Sequence, residues 1–118
     1  MRSFTAVLLV LGLFTPLLSC SSLPEKPIVA SIAPRGVLER CVNVLPGQSL
    51  KYSWDSMEQV TFTIIPSRGG QAGDPIVRER GNTFRGVLEP GEETTYCFQW
   101  NNTTGRQVRV SFSPIIVK

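Results

Sequence analysis

The feature that most constrains this chain is a strict alternation of apolar and polar side chains, broken every several residues by proline, glycine, asparagine or aspartate. Tyr96, Phe98 and Trp100 alternate with Cys97, Gln99 and Asn101, and Val60, Phe62 and Ile64 alternate with Thr61 and Thr63. Successive side chains on a strand point to opposite faces, so a period of two builds a sheet with one buried face and gives a helix no apolar stripe. The same phase recurs in Ile28, Ala30 and Ile32, in Leu38, Val42 and Val44, in Leu50, Tyr52 and Trp54, and in Val108, Val110 and Phe112. Shorter segments at Ile76-Val77 and at Phe84 to Leu88 flank Arg80-Gly81-Asn82. Turns are expected at Pro46-Gly47, around Asp55-Ser56, at Pro66 to Gly70, at Glu89 to Glu92 and at Asn101 to Gly105. The expectation over 28-118 is an all-β domain, an antiparallel β-sandwich of about eight short strands. The tail from Pro114 to Lys118 should pack as an edge or as a continued strand.

The beginning of the chain follows a different rule. Met1-Arg2-Ser3-Phe4 is followed by an apolar run from Thr5 to Leu18. That run falls short of the roughly 20 apolar residues a membrane-spanning helix needs, and it reads as a signal peptide over 1-19. Leu17-Leu18-Ser19-Cys20 resembles the lipobox of bacterial lipoproteins. The resemblance implies cleavage after Ser19 and acylation of the Cys20 sulfur. Residues 20-27 then form the acylated cysteine and a short proline-punctuated tether, Ser21-Ser22-Leu23-Pro24-Glu25-Lys26-Pro27. Serines after the cysteine, with no aspartate, imply by the same resemblance the outer membrane, with the domain facing the periplasm. The formal net charge is +3 at pH 7, and cleavage would remove Arg2 from it. So small a balance does not indicate a nucleic-acid partner.

The chain has three cysteines. If Val42 and Val44 face the core, Cys41 faces outward, and the phase of Tyr96 and Phe98 turns Cys97 outward as well. Two thiols on the outer face of one sheet, in an oxidising compartment, point to a disulfide. Such a bridge would contribute roughly 4 kcal/mol through the loop it closes. Glu39-Arg40-Cys41-Val42 early in the domain and Tyr96-Cys97-Phe98-Gln99-Trp100-Asn101-Asn102 near its end resemble the paired cysteine motifs of the GOLD domain. That β-sandwich belongs to eukaryotic secretory cargo receptors, and the likeness covers most of 37-113. It implies a disulfide-stapled, GOLD/jelly-roll-like sandwich with an interaction role. Trp100 is an extra residue between Gln99 and Asn101, and the receptors' coiled-coil and membrane-spanning parts have no counterpart. Cargo-receptor activity therefore does not carry over.

Little in the chain suggests chemistry. There is no histidine, which removes the commonest general base and metal ligand. No thiol stays free once Cys20 is acylated and Cys41 is joined to Cys97. Asp55, Glu58, Asp74, Glu92 and Glu93 supply carboxylates, most of them expected in or beside turns. Gly69-Gly70-Gln71-Ala72-Gly73 lacks the lysine and hydroxyl residue of a phosphate-binding loop and reads as a flexible loop. No catalytic residue, metal or cofactor is expected. Arg68, Arg78, Arg80 and Arg85 form a basic grouping that could meet an anionic partner, with Arg78 and Arg80 on one strand face. A solvated strand face partly neutralised by Glu79 and Glu89 is the plainer alternative. Tyr52, Trp54, Tyr96 and Trp100 could line a sugar platform, but their alternation suits a core better. The function expected is a membrane-anchored, non-enzymatic interaction or scaffold module with an envelope protein as partner. The alternative is a lipoprotein that binds a glycan or another small ligand.

Overall fold

The structure is a computed structural model, and it describes residues 26-118. The signal segment 1-19, Cys20 and all but the last two residues of the tether lie outside the described residues. The chain forms β1 (Ile28–Ile32), β2 (Val37–Val44), β3 (Ser49–Arg68), β4 (Gln71–Ala72), β5 (Val77–Leu88), β6 (Thr94–Asn101) and β7 (Val108–Val117). All seven belong to one antiparallel sheet. The order is β1-β7-β3-β6-β2, with β4 and β5 also paired to β3.

β3 organises the whole sheet. One of its edges pairs with β5 along nearly its full length. The other pairs first with β7, from Ser49 to Ser56, and then with β6, from Thr61 to Ser67. The connections require β3 to curl. Leu88, the last residue of β5, lies opposite Leu50, whereas Thr95 at the start of β6 lies opposite Ser67. An extended run from Leu50 to Ser67 would be about 56 Å long. The intervening turn from Glu89 to Glu93 can reach only about 20 Å. The ends of β3 are therefore brought round toward each other, and the sheet is a half-barrel.

This differs from the expected succession of short strands in two places. The segments centred on Tyr52 and Phe62 are one strand, and the expected turn at Asp55-Ser56 is a bulge within it. Asp55 pairs with Thr83 and Val60 with Gly81, so four residues of β3 face the single Asn82 of β5. The extra backbone bends β3 where it changes partner from β7 to β6. The segments before and after Arg80-Gly81-Asn82 are likewise one strand. The glycine-rich segment is tighter than a flexible loop: Gly69 and Gly70 have φ of 59° and 80°, and they turn the chain directly from β3 into β4. Positive φ at both central residues is the geometry of a type I′ hairpin turn. The C-terminal tail continues β7, reaching Val117 opposite Ser49.

The core fills the concave face. Leu50, Tyr52, Trp54, Val60, Phe62 and Ile64 of β3 are buried with Tyr96, Phe98 and Trp100 of β6 and Val108, Val110 and Phe112 of β7. β6 and β7 meet across the curl, where Phe112 lies 4.8 Å from Phe98 and 4.9 Å from Trp100 between ring centroids. The four aromatics considered for a sugar platform are all core residues, each at most 5 % exposed. On the convex face Cys41 lies directly opposite Cys97 and is bonded to it, with the Cα atoms 4.0 Å apart. The disulfide thus joins edge strand β2 to β6, as the outward phase of both cysteines requires.

Candidate interaction surface

The bulge has a consequence for the arginines. Before Asn82, the β5 residues opposite core positions Ile64, Phe62 and Val60 are Val77, Glu79 and Gly81. After it, Phe84, Gly86 and Leu88 lie opposite Trp54, Tyr52 and Leu50. The phase of β5 flips at Asn82, from odd to even. Arg78 and Arg80, opposite Thr63 and Thr61, and Arg85, opposite Ser53, therefore emerge on the same convex face. All three are exposed.

Arg68 stands apart from them. It ends β3, donates from Nε to Thr94 Oγ1 at 3.0 Å and pairs with Glu92 at 3.2 Å. The acidic residues expected to neutralise the group form no ion pair with it among the described residues. Glu79 has the core-side phase of β5, and Glu89 accepts a hydrogen bond from Ser49 Oγ. Among the described residues the ion pairs are Arg68 with Glu92 and Arg106 with Glu58. Arg78, Arg80 and Arg85 have no carboxylate partner there. Arg80 Nη1 reaches only the hydroxyl of Thr103, at 3.3 Å.

Asp55 is exposed and shares the convex phase of Ser53, the residue opposite Arg85. Asp55 and Glu58 sit in β3 rather than in a turn, and Glu58 is held by Arg106. Glu93 accepts a hydrogen bond from Asn43 Nδ2 at 2.8 Å. Glu39 lies beside Cys41 and Cys97, but the two sulfurs are bonded to each other and Gln99 Nε2 donates to the Glu39 carboxylate.

A shallow groove of about 440 Å³ crosses the sheet where β5, β3 and β7 run side by side. Lys51, Ser53, Arg85, Val87, Ser113 and Ile115 line it, with part of Tyr52. Burial raises the Tyr52 hydroxyl above its ordinary value of 10.0. The exposed side chains of the groove are aliphatic or cationic, and no flat aromatic face is offered for stacking a sugar. Beside the groove, β5 pairs among the described residues with β3 alone, on one edge. Its other edge is open to an added strand.

The phase flip was not legible in the sequence. Alternation places Arg78 and Arg80 together, but Arg85 joins them only through the unequal residue count across the bulge. No known protein family matches the chain, and no curated protein matches it in sequence.

Proposed function

We propose that this protein is a lipid-anchored component of the bacterial envelope, acylated at Cys20 and tethered by residues 20-27. Its curled sheet acts as a non-enzymatic interaction module facing the periplasm from the outer membrane. On this reading the half-barrel is a GOLD-like β-sandwich folded from one sheet. The disulfide between an early and a late strand supports that, as does the approach of Phe98 and Trp100 to Phe112. The observation that carries the interaction role is the line of exposed Arg78, Arg80 and Arg85, none of them in an ion pair among the described residues, on a strand with an open edge. Guanidinium groups held in this way suit the carboxylates of a protein partner.

Two measurements test the reading. The intact mass of membrane-extracted protein should correspond to a chain beginning at acylated Cys20, and an unmodified soluble form would remove the anchor. Crosslinked envelopes should yield a protein captured by the wild type and lost from both Cys20→Ala and the Arg78→Glu/Arg80→Glu/Arg85→Glu variant. Equal capture by all three proteins would overturn the interaction role of this face.

A further inference from the structure

We propose that β5 is a docking edge, to which an extended segment of a partner protein adds as a further strand with acidic side chains on the arginine face and apolar side chains on the other. This rests on the interaction-module reading and specifies its partner. It does not depend on acylation of Cys20.

Besides the two-residue β4, three strands among the described residues have an open edge, β1, β2 and β5, and they differ. β1 has 5 residues, and β2 has 8. β2 also carries Arg40 in its core-side phase, opposite Phe98. An inward charge on an edge strand is a common guard against unwanted pairing. β5 is the longest open edge, with 12 residues. β5 has an inward charge too, Glu79 opposite Phe62, but from residue 83 to 88 its core-side positions are Phe84, Gly86 and Leu88, with no charge among them. Phe84 and Leu88 pack against the core and remain partly exposed. Their inner neighbours are on β3, and nothing among the described strands covers their outer side. An added strand would bury that side with alternate apolar residues. Its remaining side chains would then fall on the convex face beside Arg85, and two successive outward residues alongside Asn82 and Thr83, matching the phase shift of β5, would carry the acidic face on to Arg80 and Arg78.

Charge selects the occupant. A second copy of β5 paired end for end would set Arg80 opposite Arg85 and repeat that repulsion symmetrically. Like charges directly across a strand pair are destabilising, and opposite charges are stabilising. An acidic strand satisfies the arginines, and a second copy does not. Main-chain hydrogen bonds would supply affinity and the alternating side chains specificity, as in other strand-addition complexes.

The test uses full-length protein in detergent and a short synthetic peptide of alternating glutamate and valine, with one glutamate doubled at its centre to follow the phase shift at Asn82 and Thr83. Binding is read by anisotropy of the labelled peptide and by amide hydrogen exchange of the protein. Exchange should slow in β5 and stay unchanged in β1 and β2. Replacing glutamate by lysine in the peptide, or Arg78, Arg80 and Arg85 by glutamine in the protein, should weaken binding about tenfold. Two peptides, each N-methylated along one edge of its backbone, separate pairing from charge. One should lose binding and the other keep it. Equal binding by both methylated peptides would reduce the contact to charge alone, and protection of β1 or β2 in place of β5 would move the site. Absence of binding by any peptide would leave the arginines as guards of the edge and overturn the proposal. If envelope capture survives that result, the interaction module stands and only its docking edge is lost.

Discussion

Asn102 is a fully buried polar side chain, and its surroundings explain why the fold tolerates it. Nδ2 lies within hydrogen-bond distance of the Ile32, Ala33 and Arg106 carbonyls, at 3.1, 3.0 and 2.6 Å. Oδ1 accepts from the backbone N–H and the hydroxyl of Thr104. The side chain thereby fastens the β6–β7 turn to the β1–β2 turn, where Arg35, at φ 62°, donates its backbone N–H to the Thr104 carbonyl. Asn102→Ala would strand several buried backbone groups at once. It should lower stability by about 2 to 4 kcal/mol in urea unfolding, and a loss below 1 kcal/mol would show that water replaces the side chain. In the sequence Asn102 is only one residue of a turn-rich run, because nothing local reveals that a turn so far away in the chain supplies its partners.

At the level of the strands, β3 and β5 are matched by a size rule as well as by register. Gly86 lies opposite Tyr52, and the tyrosine ring covers the space a side chain would fill. A Cβ at Gly86 would stand 2.5 Å from the Tyr52 hydroxyl and 2.8 Å from the ring carbon bearing it. Gly86→Ala should therefore destabilise the pair by about 1 to 3 kcal/mol. The same substitution in a Tyr52→Leu background should cost much less, and equal losses in both backgrounds would place the strain elsewhere. Tyr52 also gives the protein an alkaline limit. Its hydroxyl is raised by burial, so the folded state favours the neutral form more than the unfolded state does. That contribution is intact below the unfolded value near 10 and is lost as pH rises through the higher folded value. Unfolding midpoints followed into this alkaline range should fall for the wild type, and the fall should be smaller for Tyr52→Phe. These strands were legible as apolar phases but not as continuous elements. Asp55 to Gln59 breaks the alternation in the way a turn would, and only pairing with β5 and with both β6 and β7 shows that the chain runs on through a bulge.

For the whole molecule, the disulfide matters through the states the chain can reach when unfolded. Among the described residues β2 is paired only to β6, and the bond between them lies on the convex face, away from the aromatic core. Removing the sulfurs should leave no cavity among the residues that dominate burial. What changes is the unfolded chain, because the bond closes a sequence separation of 56 residues. On the chain-entropy account that constraint is worth roughly 4 kcal/mol. Cys41→Ala/Cys97→Ala and the reduced wild type should therefore lose similar stability. Both should unfold with a steeper dependence on urea than the oxidised protein, because an unlinked denatured chain exposes more surface. A matching loss with an unchanged slope would place the effect in the folded sheet, making the bond a clamp on β2 rather than a constraint on the unfolded chain. The slope decides because packing lost from an exposed edge leaves the denatured ensemble as it was, whereas a broken cross-link enlarges it. In that ensemble the early strand β2 and the late strand β6 have only the covalent bond to keep them together.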